Sequence, residues 1–130
     1  MPTKNQFACI AKNGFQVVIN LALENSPGAI LQEETIVRQL GMQYIHIPVQ
    51  WNQPDRADLT QFFQAMVENQ EKKIFVHCVM NMRVSVFVYL FRVLHFKEKA
   101  DLGYADILKI WQPNVIWQNF IQSNLDNQPD

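Results

Sequence analysis

Three short apolar runs, separated by stretches of helical spacing, constrain this chain more than any other feature. Residues 15–21 are apolar and β-branched, residues 42–49 form a second run, and residues 73–78 a third with Ile74, Phe75 and Val76 at its centre. Between them, residues 30–40 read as a helix ended by Gly41. Residues 57–69 place Leu59, Phe62, Phe63 and Met66 on one helical face. A helix over residues 3–13 comes first, with Thr3 and Gln6 spaced as a capping box and Gly14 as its stop. Residues 83–96 are apolar nearly all round, which predicts a helix buried on most sides. Two further helices are expected near residues 99–111 and 113–123, while residues 24–28 and 51–56 read as loops. Strands alternating with helices imply an α/β fold, a mainly parallel central sheet with helices on both faces.

The 130 residues suffice for one domain, expected over residues 1–123, with 124–130 as a polar tail. Hydrophobic residues at 48% and charged residues at 18% exclude a disordered chain. The longest apolar stretch, residues 74–96, contains His77, Asn81, Arg83 and Arg92, which a bare membrane span could not carry cheaply. Near the amino terminus Lys4, Asn5, Gln6 and Lys12 leave no apolar core for a signal peptide. Cys9 and Cys78 make no disulfide framework. The expectation is a cytoplasmic protein with reduced thiols and no membrane partner. A net charge of −1 argues against nucleic acid. No metal-ligand spacing and no glycine-rich nucleotide motif is visible, so no metal and no cofactor is expected.

In open α/β sheets ligands sit beyond the carboxyl ends of strands, where loops lead into helices. Residues 76–85 lie at such a junction. Cys78 closes the third strand, a short loop follows, and a helix begins near Arg83. Free N–H groups at a helix start favour a thiolate and bind oxyanions, and the planar fork of Arg83 suits phosphate or sulfate. A cysteine at a strand end is also, quite ordinarily, an inert small hydrophobe. Charge favours the first reading: residues 72–99 carry six basic side chains and one acid, and the remainder of the chain balances that +5 with −6. Such an asymmetry can steer an anion to one face.

At these residues a family resemblance emerges. Val76, His77 and Cys78, followed by Arg83 and Ser85, resemble the signature loop of cysteine-dependent protein tyrosine and dual-specificity phosphatases. Residues 2–7, 14–21, 44–49 and 77–83 further resemble a bacterial family of small phosphatase-like proteins, also found fused to beta-lactamase-like hydrolases. In such relatives a strand usually precedes the segment matching residues 2–7. An edge strand is therefore expected to be missing here, which would invite homo-oligomers.

The resemblance implies roles. Cys78 would attack phosphorus and form a cysteinyl-phosphate, Arg83 would clamp two oxygens, and the amides from Val79 through Met80, Asn81 and Met82 to Val84 would hold the others. Ser85 would donate to the sulfur, and His77 would orient the loop, unless it is simply a buried histidine with a backbone partner. Two departures stand out. Four residues separate Cys78 from Arg83 where the usual signature has five, and no glycine lies among them. Asn81 is the expected substitute, because asparagine tolerates the left-handed region. The general acid would be Asp55, although Asp55 or Asp58 could instead cap the helix that follows.

The expected function is hydrolysis of a phosphomonoester on a protein tyrosine or a small molecule. The alternatives are a phosphate-binding pseudophosphatase without turnover and, less well matched, a rhodanese-like sulfurtransferase.

Overall fold

The computed structural model describes residues 1–26, 29 and 32–126. Its elements run α1 (Lys4–Lys12), β1 (Val17–Asn20), α2 (Glu33–Gln39), β2 (Gln43–His46), α3 (Arg56–Glu68), β3 (Ile74–His77), α4 (Met82–Leu94), α5 (Ala100–Leu108) and α6 (Val115–Asp126). The three strands form one parallel sheet in the order β2-β1-β3, with Val17 in register with both Gln43 and Ile74. This is the α/β architecture expected from the alternation of elements.

Side chains of β1 alternate between two cores, and all four of its residues are buried. Val17 and Ile19 join the larger core with Leu59, Phe62, Phe87, Leu90 and Trp117, contributed by α3, α4 and α6. Val18 faces a smaller core with Phe7 of α1, Val37 of α2 and Met42. Helices therefore cover both faces, and β1 gains the two-sided burial that its continuous apolar run predicts.

Local chemistry sets the boundaries. The Thr3 hydroxyl accepts from the Gln6 amide, and the Gln6 side chain accepts from the Thr3 amide, which closes the capping box on α1. Gly14 and Gly41 follow α1 and α2 at φ 86° and 84°, where a Cβ is unwelcome. The strands are shorter than their apolar runs. Past β2, Ile47 and Val49 still donate to Asn20 and Leu21, but Pro48 between them has no N–H to offer. The expected start of α2 at Ile30 and Leu31 lies outside the described residues, as do Pro27 and Gly28. At the other end, α6 runs to Asp126 with Asn124 buried, past the point where a polar tail was expected to begin. Residues 127–130 lie outside the description.

Helix α4 occupies the middle of the larger core, burying Val86, Phe87, Tyr89, Leu90, Phe91 and Val93. Gly103 lets α5 approach it: a Cβ there would stand 3.0 Å from the Tyr89 ring. No described helix is long and apolar enough to cross a membrane.

Candidate active site

β3 ends at His77, Cys78 follows, and α4 starts at Met82. Parallel strands all point their carboxyl ends to one side, so this loop lies where α/β sheets present ligands. The turn into the helix is made by Asn81, at φ 62° and ψ 9°. That is the left-handed conformation a glycine would normally supply, and asparagine takes it as expected.

Six backbone N–H groups, from Val79 to Val84, make no hydrogen bond to a backbone acceptor among the described residues. Three belong to the first turn of α4, whose amides have no intrahelical partner, and the others belong to the loop. Cys78 is 2% exposed and Arg83 9%. Among the described residues the Arg83 Nε and Nη1 are buried with no hydrogen-bond partner, and its guanidinium sits 5.7 Å from the centre of the Trp51 ring. Burial pulls the Arg83 pKa below the usual guanidinium value, with attraction to Cys78 acting in the opposite direction. A cation this buried with two idle donors is costly unless an anion completes it.

Both residues border a cavity of about 240 Å³, lined by Ser26, Trp51, Cys78, Val79, Met80, Met82 and Arg83. Among the described residues, Arg83 is the one side chain of that lining that is charged at every ordinary pH. Met80 is exposed at 67%, an apolar side chain standing in solvent beside the cavity. Trp51 belongs to a three-indole cluster, with ring centres 5.2 Å from Trp111 and 5.7 Å from Trp117. The Trp117 Nε1 donates to the Trp51 carbonyl at 2.9 Å, tying the loop after β2 to α6. Trp111 and Trp117 also meet each other across Pro113, with ring centres 6.2 Å apart.

Two of the expected catalytic residues, Ser85 and Asp55, lie outside the lining of that cavity. The Ser85 hydroxyl donates to the Met82 carbonyl at 2.6 Å and accepts from Trp111 Nε1 at 3.0 Å. Its single hydrogen is thus spent on the helix backbone and not on the sulfur. Ser85 lines a separate cavity of about 340 Å³, together with Asn81, Val84 and Val88. Asp55 is exposed and caps α3, its carboxylate accepting from the Ala57 amide at 2.8 Å, and it does not line the cavity of Cys78. Asp58 has its pKa raised by partial burial and then by the charge of Asp55, but it too is absent from that lining.

His77 faces away from the cavity. Its ring packs against Phe7 and Phe75 in the α1–α2 layer. Its Nε2 lies 3.0 Å from the Glu33 carboxylate and its Nδ1 3.5 Å from the Cys78 carbonyl. It is a buried histidine with a backbone contact, and also with a carboxylate that the sequence did not foretell. Ser26 was missed as well; its place after β1, at the carboxyl end of the central strand, was the available signal. For Glu33, 44 residues before His77, there was none. Among the described residues no group of three His, Cys, Asp or Glu side chains is placed to hold a metal ion.

Comparison with known proteins follows the same line. The model of the PTP-NADK family, described as DSP-PTPase phosphatase fused to NAD+ kinase, matches residues 1–107. The crystal structure of a candidate phosphatase of the DUF442 group from Shewanella putrefaciens CN-32 is similar at 30% identity and a TM-score of 0.87. That alignment covers all of this chain and 85% of the other. More distant structures share the fold. Tk-PTP in its active form aligns at 13% identity and TM-score 0.82, over 98% of this chain and 88% of its own. Kinase associated phosphatase, with its catalytic-site cysteine substituted by serine, aligns at 12% and 0.82, over 96% and 76%. No curated protein matches the chain significantly.

Proposed function

The chain belongs to the PTP-NADK family of DSP-PTPase phosphatases, within the cysteine-dependent phosphatase superfamily, and on that premise we propose that it hydrolyses a phosphomonoester through Cys78. The observation that carries this reading is the buried Arg83 guanidinium with two unpartnered nitrogens, lining one cavity with Cys78. A phosphate dianion would complete those donors and accept from the idle amides of residues 79–84.

In the proposed reaction the Cys78 thiolate attacks phosphorus in line. The sulfur–phosphorus bond forms as the ester oxygen departs with its electron pair, to be protonated afterwards by solvent water. Water then attacks the cysteinyl-phosphate, releasing inorganic phosphate and returning the electron pair to sulfur. Arg83 and the loop amides hold charge spreading over the equatorial oxygens. No carboxylate lines the cavity among the described residues, so the departing oxygen is not given a protein proton there. Esters of acidic alcohols, aryl phosphates above all, should therefore turn over best, because their oxygens leave without one. The apolar walls supplied by Trp51, Val79, Met80 and Met82 are compatible with such a body.

A second reading has its own support. With Asp55 spent on the α3 cap and the Ser85 hydrogen on Met82, the site could bind phosphate and not turn it over. Hydrolysis of an aryl phosphate separates the two. The hydrolytic reading expects turnover that disappears in Cys78→Ser and falls about 10²–10³-fold in Arg83→Ala, the usual cost of an oxyanion donor. Tungstate binding measured by calorimetry, with no aryl phosphate turnover, would establish the binding module in its place.

A further inference from the structure

We propose that Glu33 is a positioning residue of the Cys78 loop, acting through His77 from the opposite face of the sheet. The proposal rests on the reading of the 78–83 loop as an oxyanion site. Glu33 and His77 are both buried, at 7% and 2% exposure, and meet at 3.0 Å. A carboxylate is rarely buried without a partner that compensates it, and here that partner is His77. Their surroundings are apolar on the ring faces, from Phe7 and Phe75, and polar at the edge. There the Tyr44 hydroxyl, accepting from Asn20 at 3.1 Å, stands beside Glu33. Burial is the main reason that this hydroxyl holds its proton well above the usual phenol range, and the Glu33 charge adds to it.

A hydrogen inventory shows what Glu33 contributes. The Cys78 carbonyl can only accept, so Nδ1 must carry hydrogen to use its 3.5 Å contact. The other ring nitrogen faces a carboxylate oxygen, and a hydrogen must lie between them as well. With an apolar side chain in place of Glu33, nothing would select which ring nitrogen faces the loop.

The consequence reaches the cavity through a peptide plane. In a trans peptide the carbonyl and the following N–H point in opposite directions. Holding the Cys78 carbonyl toward His77, in the α1–α2 layer, turns the Val79 N–H toward the other side, where Cys78 and Arg83 lie. Glu33 thus fixes the first donor of the cradle without touching a ligand.

The experiment uses tungstate as the probe, together with the rate at which iodoacetamide alkylates Cys78. Glu33→Leu removes the partner of Nε2, Glu33→Gln keeps an amide that can still donate to it, and Glu34→Gln, the exposed neighbour, serves as reference. Glu33→Leu is expected to weaken tungstate binding and slow alkylation by about tenfold each, the loss of one charge-assisted hydrogen bond, and Glu33→Gln to recover most of both. His77→Asn should do the same, and the double variant should be no worse than either single one. A variant that melts earlier but binds and alkylates within twofold of the parent overturns the proposal, as do losses that add. Nitrogen-15 spectra of the parent protein give a test that needs no variant: a bare Nδ1 on His77 also overturns it. Alkylation needs no turnover, so a protein that hydrolyses nothing yet shows the Glu33 dependence would sink the hydrolytic reading and leave this one standing.

Discussion

Asn81 holds the tightest point of the cradle at φ 62°. An L residue with a Cβ pays about 1–2 kcal/mol in the left-handed region, and asparagine pays less because its short side chain is at home there. No side-chain hydrogen bond caps α4 from this position, so backbone conformation alone selects the residue. Asn81→Gly should leave stability within a few tenths of a kcal/mol of the parent, whereas Asn81→Ala should lower it by about 1 kcal/mol. Urea unfolding of the two variants measures the difference. Equal midpoints would mean that the loop relaxes to another backbone path. Arg83 is selected on different grounds. Its two idle nitrogens and the Trp51 ring call for a flat, delocalised cation, which lysine cannot imitate.

At the scale of elements, the loop after β2 shows how one residue type serves two kinds of role. Asp55 accepts from the Ala57 amide and begins α3, and an N-cap of this kind is worth about 1 kcal/mol. Asp55→Asn keeps the cap, while Asp55→Ala removes it. If capping is the whole of its role, Asp55→Asn should match the parent in both thermal melting and aryl phosphate turnover. Asp55→Ala should lose about 1 kcal/mol of stability with its turnover unchanged. A turnover lost in Asp55→Asn at unchanged stability would return this residue to the chemistry as an acid. The distinction was out of reach of the sequence, because a cap and an acid both call for aspartate just before a helix. Much else at this scale was legible. The Thr3–Gln6 box, the glycine stops, the alternation of strands and helices along the chain and the left-handed turn at Asn81 each follow from a local rule. The Glu33–His77 pair and the contacts of Ser85 do not. They depend on which layer α2 joins and where Trp111 reaches Ser85, and those are facts of packing that no spacing along the chain encodes.

At the scale of the whole molecule, the uneven charge of the sequence acquires a different meaning. Of the six basic residues between 72 and 99, only Arg83 borders the cavity. Lys72 and Lys73 precede β3, at the end of the strand away from Cys78. Lys73 there donates to the Asn13 carbonyl and lies 4.3 Å from the centre of the Phe15 ring. Arg92 lies in the last turn of α4 and is bound to Glu98 at 2.8 Å and Asp106 at 2.9 Å, and these bonds hold both carboxyl pKa values below the usual range. Lys97 and Lys99 come after α4, whose 13 residues carry the chain about 20 Å from the loop at 1.5 Å each. That is about two Debye lengths at 0.1 M salt, too far for these lysines to draw an anion in. Attraction at the cavity falls instead to one buried guanidinium and a set of fixed amides, which salt screens weakly. Raising sodium chloride from about 0.1 to 0.5 M should therefore change the tungstate dissociation constant by no more than about threefold, whereas a steered site would weaken far more steeply. Calorimetric titration across that range reads the slope directly. A tenfold or greater loss would mean that the distant lysines act on the cavity after all.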